Sequence, residues 1–430
     1  MKSLAGRSAS GRSALAAVLW VSAILACGRT ELRAQVAVSQ PAETTHRATA
    51  ASPSVVLIAM SGLRWDDPQR APAPHLLALA KQGAWAPQGM LPVFPAESAP
   101  NLFSIATGLY PGHHGIVADV FWDPTRQARY LASERRIAAE AHWYAGTPLW
   151  SLAEKQGIRT ACIGWTGCAA EIAGARPTYD VAAEDVPADR ALRQALDWLL
   201  LPAEKRPRLI AVALGEPGRQ AREFGPDAPQ TLAAVRRLDA AIGRFHAELR
   251  ATGQPVDLVI VSDRGFANPQ GAWITLAGYA PLQSFQTEGV LLYGKTERDR
   301  VQAYDQLKKA TSEFIAYRLK DFPADLHMNG NPRLGDPVVV ATGAYALRAT
   351  AASRTEPRAV DGFNPAVVAE MKAVFIASGP DIVAGSTVGP FENVNLYGWV
   401  AHLLGLTAPK NDGNLNILSG TLRDDGGPEN

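Results

Sequence analysis

Four short segments of this chain carry side chains that could act together on a ligand. Ser98, in Glu97-Ser98-Ala99-Pro100-Asn101, offers a hydroxyl at the start of a helical stretch. Ser61 follows the apolar run Ser54–Met60, Gly218 and Arg222 follow Leu209–Leu214, and Asp263-Arg264 follow Val256–Ser262. A serine hydroxyl becomes a nucleophile only when a base or a metal takes its proton. A helix N-terminus flanked by guanidinium groups is suited to an anion. Ser98 also has a simpler reading, because serine just ahead of Ala-Pro-Asn is a natural helix cap and needs no chemistry to account for it.

The elements that must position these residues alternate between strand-like and helix-like patterns. Ser54–Met60 is a continuous β-rich run of the kind found in a sheet covered on both faces. Arg159–Ile163, Leu209–Leu214, Val256–Ser262 and Lys372–Ala377 read the same way. Between them, His75–Gly83, Asp189–Leu201 (with Asp189 as N-cap), Leu232–Leu249 and Val394–Leu404 read as helices. This alternation predicts an α/β fold with a mostly parallel central sheet and helices on both faces. In open sheets of this kind ligands bind beyond the carboxyl ends of the strands, where the four segments lie.

Composition removes several function classes. The 430 residues include 42 Lys+Arg against 41 Asp+Glu, and 47% are hydrophobic. A core can form, and there is no basic footprint for nucleic acid. The three cysteines contain no CxxC pair, which excludes a zinc ribbon and a disulfide-dense scaffold. Residues 1–27 read as a signal peptide: Lys2, Arg7 and Arg12 precede an apolar run, Ala14–Cys27, that is too short to span a bilayer. Two processing routes are consistent with it, lipidation of Cys27 at a lipoprotein-type box or ordinary cleavage near Ala34. Either predicts export, periplasmic, secreted or on an outer-membrane anchor. Residues 28–52 read as a flexible linker, 53–418 as the globular domain and 419–430 as a disordered tail. Cys162 and Cys168 could form a short-range disulfide or remain two small buried hydrophobes.

Pro92–Ile116 (PVFPAESAPNLFSIATGLYPGHHGI) resembles the nucleotide pyrophosphatase/phosphodiesterase family of the alkaline phosphatase superfamily. In that family the nucleophilic Thr or Ser opens a helix, precedes a Pro-Asn pair and leads into a TGLYP-x-x-HG turn. Further matching segments follow in family order, among them Trp143–Gly157, Glu171–Tyr179, Glu216–Pro226, Asn331–Ala341 and Pro390–Leu406. The resemblance, from about Ser54 to Leu418, implies an alkaline-phosphatase-like fold. It also implies phosphodiester or pyrophosphate hydrolysis with two zinc ions that polarise the phosphoryl group and activate the hydroxyl.

Carried over position by position, the nucleophile falls on Ser98, and a side chain that touches the phosphoryl group falls on Asn101. The metal positions fall on Ser61, Gly218, Arg222, Asp263, Arg264 and Asp361, where the family has only Asp and His. Asp263 keeps its residue and Asp361 is another residue able to ligate. Serine is a weak donor, glycine none, and arginine is a permanent cation. None of the eight histidines falls on a metal position; His114 matches a family position outside the metal shell. Trp143, Trp150 and Trp165 fall in segments that line the family's substrate region, and read as core residues on their own.

The expectation is therefore a catalytically inactive member without zinc or other cofactor. Arg222 and Arg264 either meet an anionic, phosphate-containing ligand or hold Asp263 and Asp361 where the metals stood. A protein partner is a further expectation. Two alternatives are a hydrolase using Ser98 with a rebuilt or single-metal site, and a new metal site built from Asp66, Asp67 and Asp180.

Overall fold

The computed structural model describes residues 53–182, 186–351 and 356–423. The expected signal peptide, Cys27, the whole of the 28–52 linker and residues 424–430 of the expected tail lie outside these residues. Ser54–Met60 (β1) is buried along its whole length, as a run without polar alternation requires. It forms the middle of an eight-stranded sheet. The other strands in chain order are Ala84–Trp85 (β2), Thr160–Ile163 (β3), Tyr179–Val181 (β4), Leu209–Leu214 (β5), Val256–Val261 (β6), Phe375–Ser378 (β7) and Ser386–Thr387 (β8), in spatial order β8-β2-β7-β6-β1-β5-β3-β4. β1 runs parallel to β5 (Val55 opposite Leu209) and to β6 (Ser54 opposite Val256). β7 is antiparallel to both of its neighbours, β6 and β2. The expected mostly parallel sheet is present, with this one reversed strand inside it.

The two-residue strand period divides the core. Val55, Leu57 and Ala59 face a layer that contains Ser98–Thr107, Leu149–Lys155 and Asn395–Leu403. Val56, Ile58 and Met60 face the opposite layer, formed by Pro74–Gln82, Ala188–Leu199 and Pro229–Ala251. We label the helices in chain order: Pro74–Gln82 (α1), Ser98–Thr107 (α2), Leu149–Lys155 (α3), Ala188–Leu199 (α4), Gly218–Phe224 (α5), Pro229–Ala251 (α6), Glu297–Leu307 (α7) and Asn395–Leu403 (α8). A smaller layer between residues 274 and 349 packs α7 against two short sheets. A Thr296/Asp299 capping box opens α7. No helix among the described residues is long and apolar enough to cross a membrane.

Two local expectations change, and one open alternative is settled. Asp189 is not the N-cap of α4: Pro187 holds that position, and Asp189 sits in the first turn, paired with Arg244 at 2.6 Å. The chain does not become a tail at Ser419. Ser419–Thr421 forms a turn whose Thr421 Oγ1 accepts from Trp399 Nε1 at 3.0 Å, and Arg423 N donates to Asp381 O. Cys162 and Cys168 are joined as a disulfide, the first of the two readings, with Cα atoms 6.4 Å apart.

Candidate functional site

Chain direction brings the four segments together. β1, β5 and β6 are parallel neighbours, so Ser61, Gly218 and Asp263 leave the sheet at the same edge. Gly62 turns with φ +76°, and a Cβ there would meet the Phe266 ring at 2.6 Å. Gly218 donates its N–H to Ser61 O at 2.8 Å, and a Cβ on it would approach that same oxygen to 3.0 Å. Both glycines are thus required by a close backbone approach.

Asp263 and Arg264 form the floor and are almost completely buried, 0% and 2% exposed. Asp263 Oδ1 accepts from Gly62 N at 3.0 Å, and Oδ2 accepts from Ser98 Oγ at 2.5 Å. Arg264 Nη1 pairs with the same Oδ2 and donates to Ser61 Oγ at 3.0 Å, while Nε donates to Asp361 Oδ2 at 2.6 Å. Arg222 Nη2 reaches the same oxygen of Asp361 at 2.7 Å. Both guanidinium groups also lie over the Phe266 ring, 4.9 Å (Arg264) and 5.4 Å (Arg222) from its centroid. Burial works to raise the Asp361 pKa, but Arg264 and Arg222 outweigh it and hold the carboxyl below its ordinary range. Burial would likewise lower Arg264, and Asp263 and Asp361 outweigh it upward.

Ser98 is the first residue of α2, and Glu97 is the N-cap. The serine does not cap the helix, because its hydroxyl is spent on Asp263. Ala99 N donates instead to Asp119 Oδ1 at 2.7 Å, so a carboxylate from a later turn satisfies the helix start. Asp119 N in turn donates to Glu97 Oε2 at 2.6 Å. Burial, then Asp119 and Asp361, push the Glu97 carboxyl up to about 8. Burial raises Asp119 as well.

Asn101 is fully buried and does not face the Ser98 hydroxyl's surroundings. Its Oδ1 accepts from Val93 N and Asn393 Nδ2, and its Nδ2 donates to the carbonyls of Val93, Pro95 and Glu97. Every polar atom is thereby used to hold the loop that delivers Glu97 and Ser98. His114 is likewise internal: Nε2 lies 2.9 Å from Ser104 Oγ, and Nδ1 accepts from Ile116 N. Burial lowers its pKa to about 3. Asp66, Asp67 and Asp180 do not converge; each pairs separately, with Arg64, Arg70 and Arg135. Trp143, Trp150 and Trp165 are all buried; Trp143 also borders a cavity of about 670 Å³ with His142 and Arg333, and Trp165 lines one of about 270 Å³ together with Ser61, Ser98, Arg135 and Asp180. The Cys162–Cys168 disulfide ties the end of β3 to that cavity's wall.

The donor set does not fit a pair of zinc ions. Zinc takes about four N, S or O ligands in tetrahedral array. Here the two carboxylates at the inherited positions are bonded by two permanent cations, and the remaining positions are a serine backed onto Arg264 and a glycine. Among the described residues no group of three or more His, Cys, Asp or Glu side chains could hold a metal ion. Glu97 and Asp119 are functional-site residues that sequence reasoning missed; the one available signal was an acid directly before the Ser98 position.

Comparison with known proteins agrees with this architecture. The profile of the family described as type I phosphodiesterase / nucleotide pyrophosphatase matches residues 55–364. Ectonucleotide pyrophosphatase/phosphodiesterase family member 7 of Mus musculus is 26% identical over 422 residues, covering 94% of this chain and 93% of its own. An uncharacterized pyrophosphatase/phosphodiesterase of Schizosaccharomyces pombe is 29% identical, with 84% and 78% covered. The solved structure of murine ectonucleotide pyrophosphatase/phosphodiesterase 5 superposes with a TM-score of 0.81 at 24% identity, covering 86% of this chain and all of its own. An inactive variant of that murine protein, in complex with AMP, superposes equally well.

Proposed function

The chain belongs to the type I phosphodiesterase / nucleotide pyrophosphatase family, and from that premise we propose that it is an exported member that recognises a ligand without cleaving it and works without zinc. The observation that carries this reading is the Arg264 guanidinium bonded to both Asp263 and Asp361. A fixed cation between the two carboxylates supplies the charge compensation that a metal would give, yet it cannot polarise a phosphoryl oxygen as a Lewis acid or activate a hydroxyl. The Cys162–Cys168 bridge supports export, since such bonds persist in oxidising compartments.

AMP is the ligand to try first, because a murine relative holds it. The cavity beside Ser98 offers Trp165 as an apolar wall. Arg222, whose side chain is 48% exposed, is the group left to meet a phosphate. Metal content and turnover of an aryl phosphodiester, measured on one preparation, test the proposal. Fewer than one zinc per several chains, with no turnover above background, is the expected result. About two zinc per chain with turnover would overturn it.

One observation favours a second reading, a hydrolase that uses Ser98 without zinc. Ser98 Oγ already donates to a carboxylate at 2.5 Å, the direction in which a base would draw its proton. Both Asp263 oxygens are also engaged by Gly62 N and Arg264, which leaves that carboxylate poorly placed to accept and pass on a proton. Turnover that disappears in Ser98→Ala would establish this reading over the first.

A further inference from the structure

Ser98 lines one cavity and its chain neighbour Glu97 lines another. The second encloses about 300 Å³, at the lower end of the range of roughly 300–1,000 Å³ for small-molecule sites, which suits a body of one ring. Phe94, Trp273, Leu291, Tyr345 and Phe363 supply its walls. All of these except Phe363 are only half-buried, so apolar and aromatic surface stays open around the cavity. Removing such surface from water is favourable in rough proportion to its area.

The charged groups at this cavity answer one another. Asp361 Oδ2 accepts from both Arg222 and Arg264, and these two guanidinium groups stand against the two carboxylates of Asp263 and Asp361. Arg348 is paired with Glu356, donates to Thr275 Oγ1 at 2.8 Å and lies over the Trp273 ring. Burial, then Asp119 and Asp361, push the Glu97 carboxyl up to about 8, so near neutral pH it keeps its proton. An ion of either sign entering here would give up its hydration and meet no unanswered counter-charge.

One polar group remains for a neutral ligand. Glu97 Oε2 accepts from Asp119 N at 2.6 Å, whereas Oε1 is turned toward Gly362, where a Cβ would lie 3.5 Å away. The glycine leaves that oxygen uncrowded, and a protonated carboxyl can donate as well as accept. Aromatic walls with a single placed hydrogen-bonding group select for shape and polarity and not for charge.

We propose that this cavity binds a small uncharged ligand, one aromatic ring carrying a hydroxyl, with the ring against Trp273, Tyr345 and Phe363 and the hydroxyl at Glu97 Oε1. The inference goes beyond the phosphodiester site and is independent of whether Ser98 turns over, because nothing in it involves hydrolysis.

Calorimetry on the full mature chain, at one fixed near-neutral pH, tests it with three probes of similar shape: phenethyl alcohol, phenethylammonium and phenylacetate. The alcohol should bind about tenfold or more tighter than either ion. Glu97→Gln keeps a donor and an acceptor in place and should hold the alcohol's affinity within about twofold. Trp273→Ala should weaken it by about tenfold, and Arg135→Ala in the other cavity should leave it unchanged. Either ion binding as tightly as the alcohol, no binding of the alcohol at millimolar concentration, or its loss in Glu97→Gln would overturn the proposal. Weakening in Arg135→Ala but not in Trp273→Ala would do the same. Should a variant fail to fold, crystals of the unmodified protein soaked with phenethyl alcohol decide the matter. The hydroxyl must lie beside Glu97 with the ring against Trp273, Tyr345 and Phe363, and any other position refutes the assignment.

Discussion

The cavities lined by Ser98 and by Glu97 share one polar floor and differ in how their charges are answered. On the Ser98 side the acids have arginine partners: Asp263 has Arg264, and Asp180 has Arg135 at 2.6 Å. On the Glu97 side Asp361 is answered by two arginines, while Glu97 and Asp119 are held by amide hydrogens. The difference shows that a matching total charge does not by itself answer every buried carboxylate. A cation must also reach each carboxylate, and here Asp263, Asp361 and Asp180 are reached while Glu97 and Asp119 are not.

The largest way to break this comparison is to remove the shared cation. Arg264→Ala leaves Asp263 and Asp361 short of their buried partner and should cost about 3–5 kcal/mol, read by denaturant unfolding. Arg264→Lys should recover part of this, since a lysine carries the charge without the fork that spans two acids. Next in size is the disulfide. Cys162→Ser with Cys168→Ser opens a short loop and should cost about 2 kcal/mol. It should loosen ligands on the Ser98 side, whose wall the bridge holds, and leave the Glu97 side unchanged.

A smaller effect sharpens the contrast through pH. Glu97 is held at about 8 in the folded chain, against an ordinary 4.5, by burial and by Asp119 and Asp361. Between these values the unfolded chain releases a proton that the folded one keeps, so this group lowers stability as pH rises from about 5 to about 8. Glu97→Gln should flatten that decline, with a gain on the order of 1 kcal/mol near pH 8, measured as melting temperature against pH. Asp67 and Asp257, raised by burial to about 6 and about 7, will keep part of the decline in that variant. The smallest effect belongs to Ser98→Ala, which removes one hydrogen bond to Asp263 and should cost about 1 kcal/mol.

Much of the fold was legible because buried strands advertise themselves. Ser54–Met60 and Leu209–Leu214 are continuous apolar runs, and each appears as a strand with those same bounds. The convergence of Ser61, Gly218, Asp263 and Ser98 followed from the strand-end rule, and Asp361 and Arg222 from the family resemblance. What remained hidden depends on contacts distant in sequence. The roles of Glu97 and Asp119 arise from a hydrogen bond between residues 22 positions apart, and acids in loops are too common to be singled out by type. Ser98 has the residue type of a cap, and only the arrival of Asp119 at Ala99 N frees its hydroxyl for Asp263. Asn101 falls by resemblance on a position that touches a phosphoryl group, and its internal role depends in part on Asn393, 292 positions away.

The close approach of Gly218 to Ser61 restricts the routes by which a metal site could be built here. A larger residue at 218 brings its Cβ to 3.0 Å from the Ser61 carbonyl, so that turn must yield by a few tenths of an ångström. Exchanging Arg264 alone for a histidine would strand two acids, and exchanging Arg222 alone would add a ligand to a position where Arg264 still blocks the ion. Each single exchange is uphill, so installing a dinuclear metal site here in the laboratory should demand several simultaneous replacements.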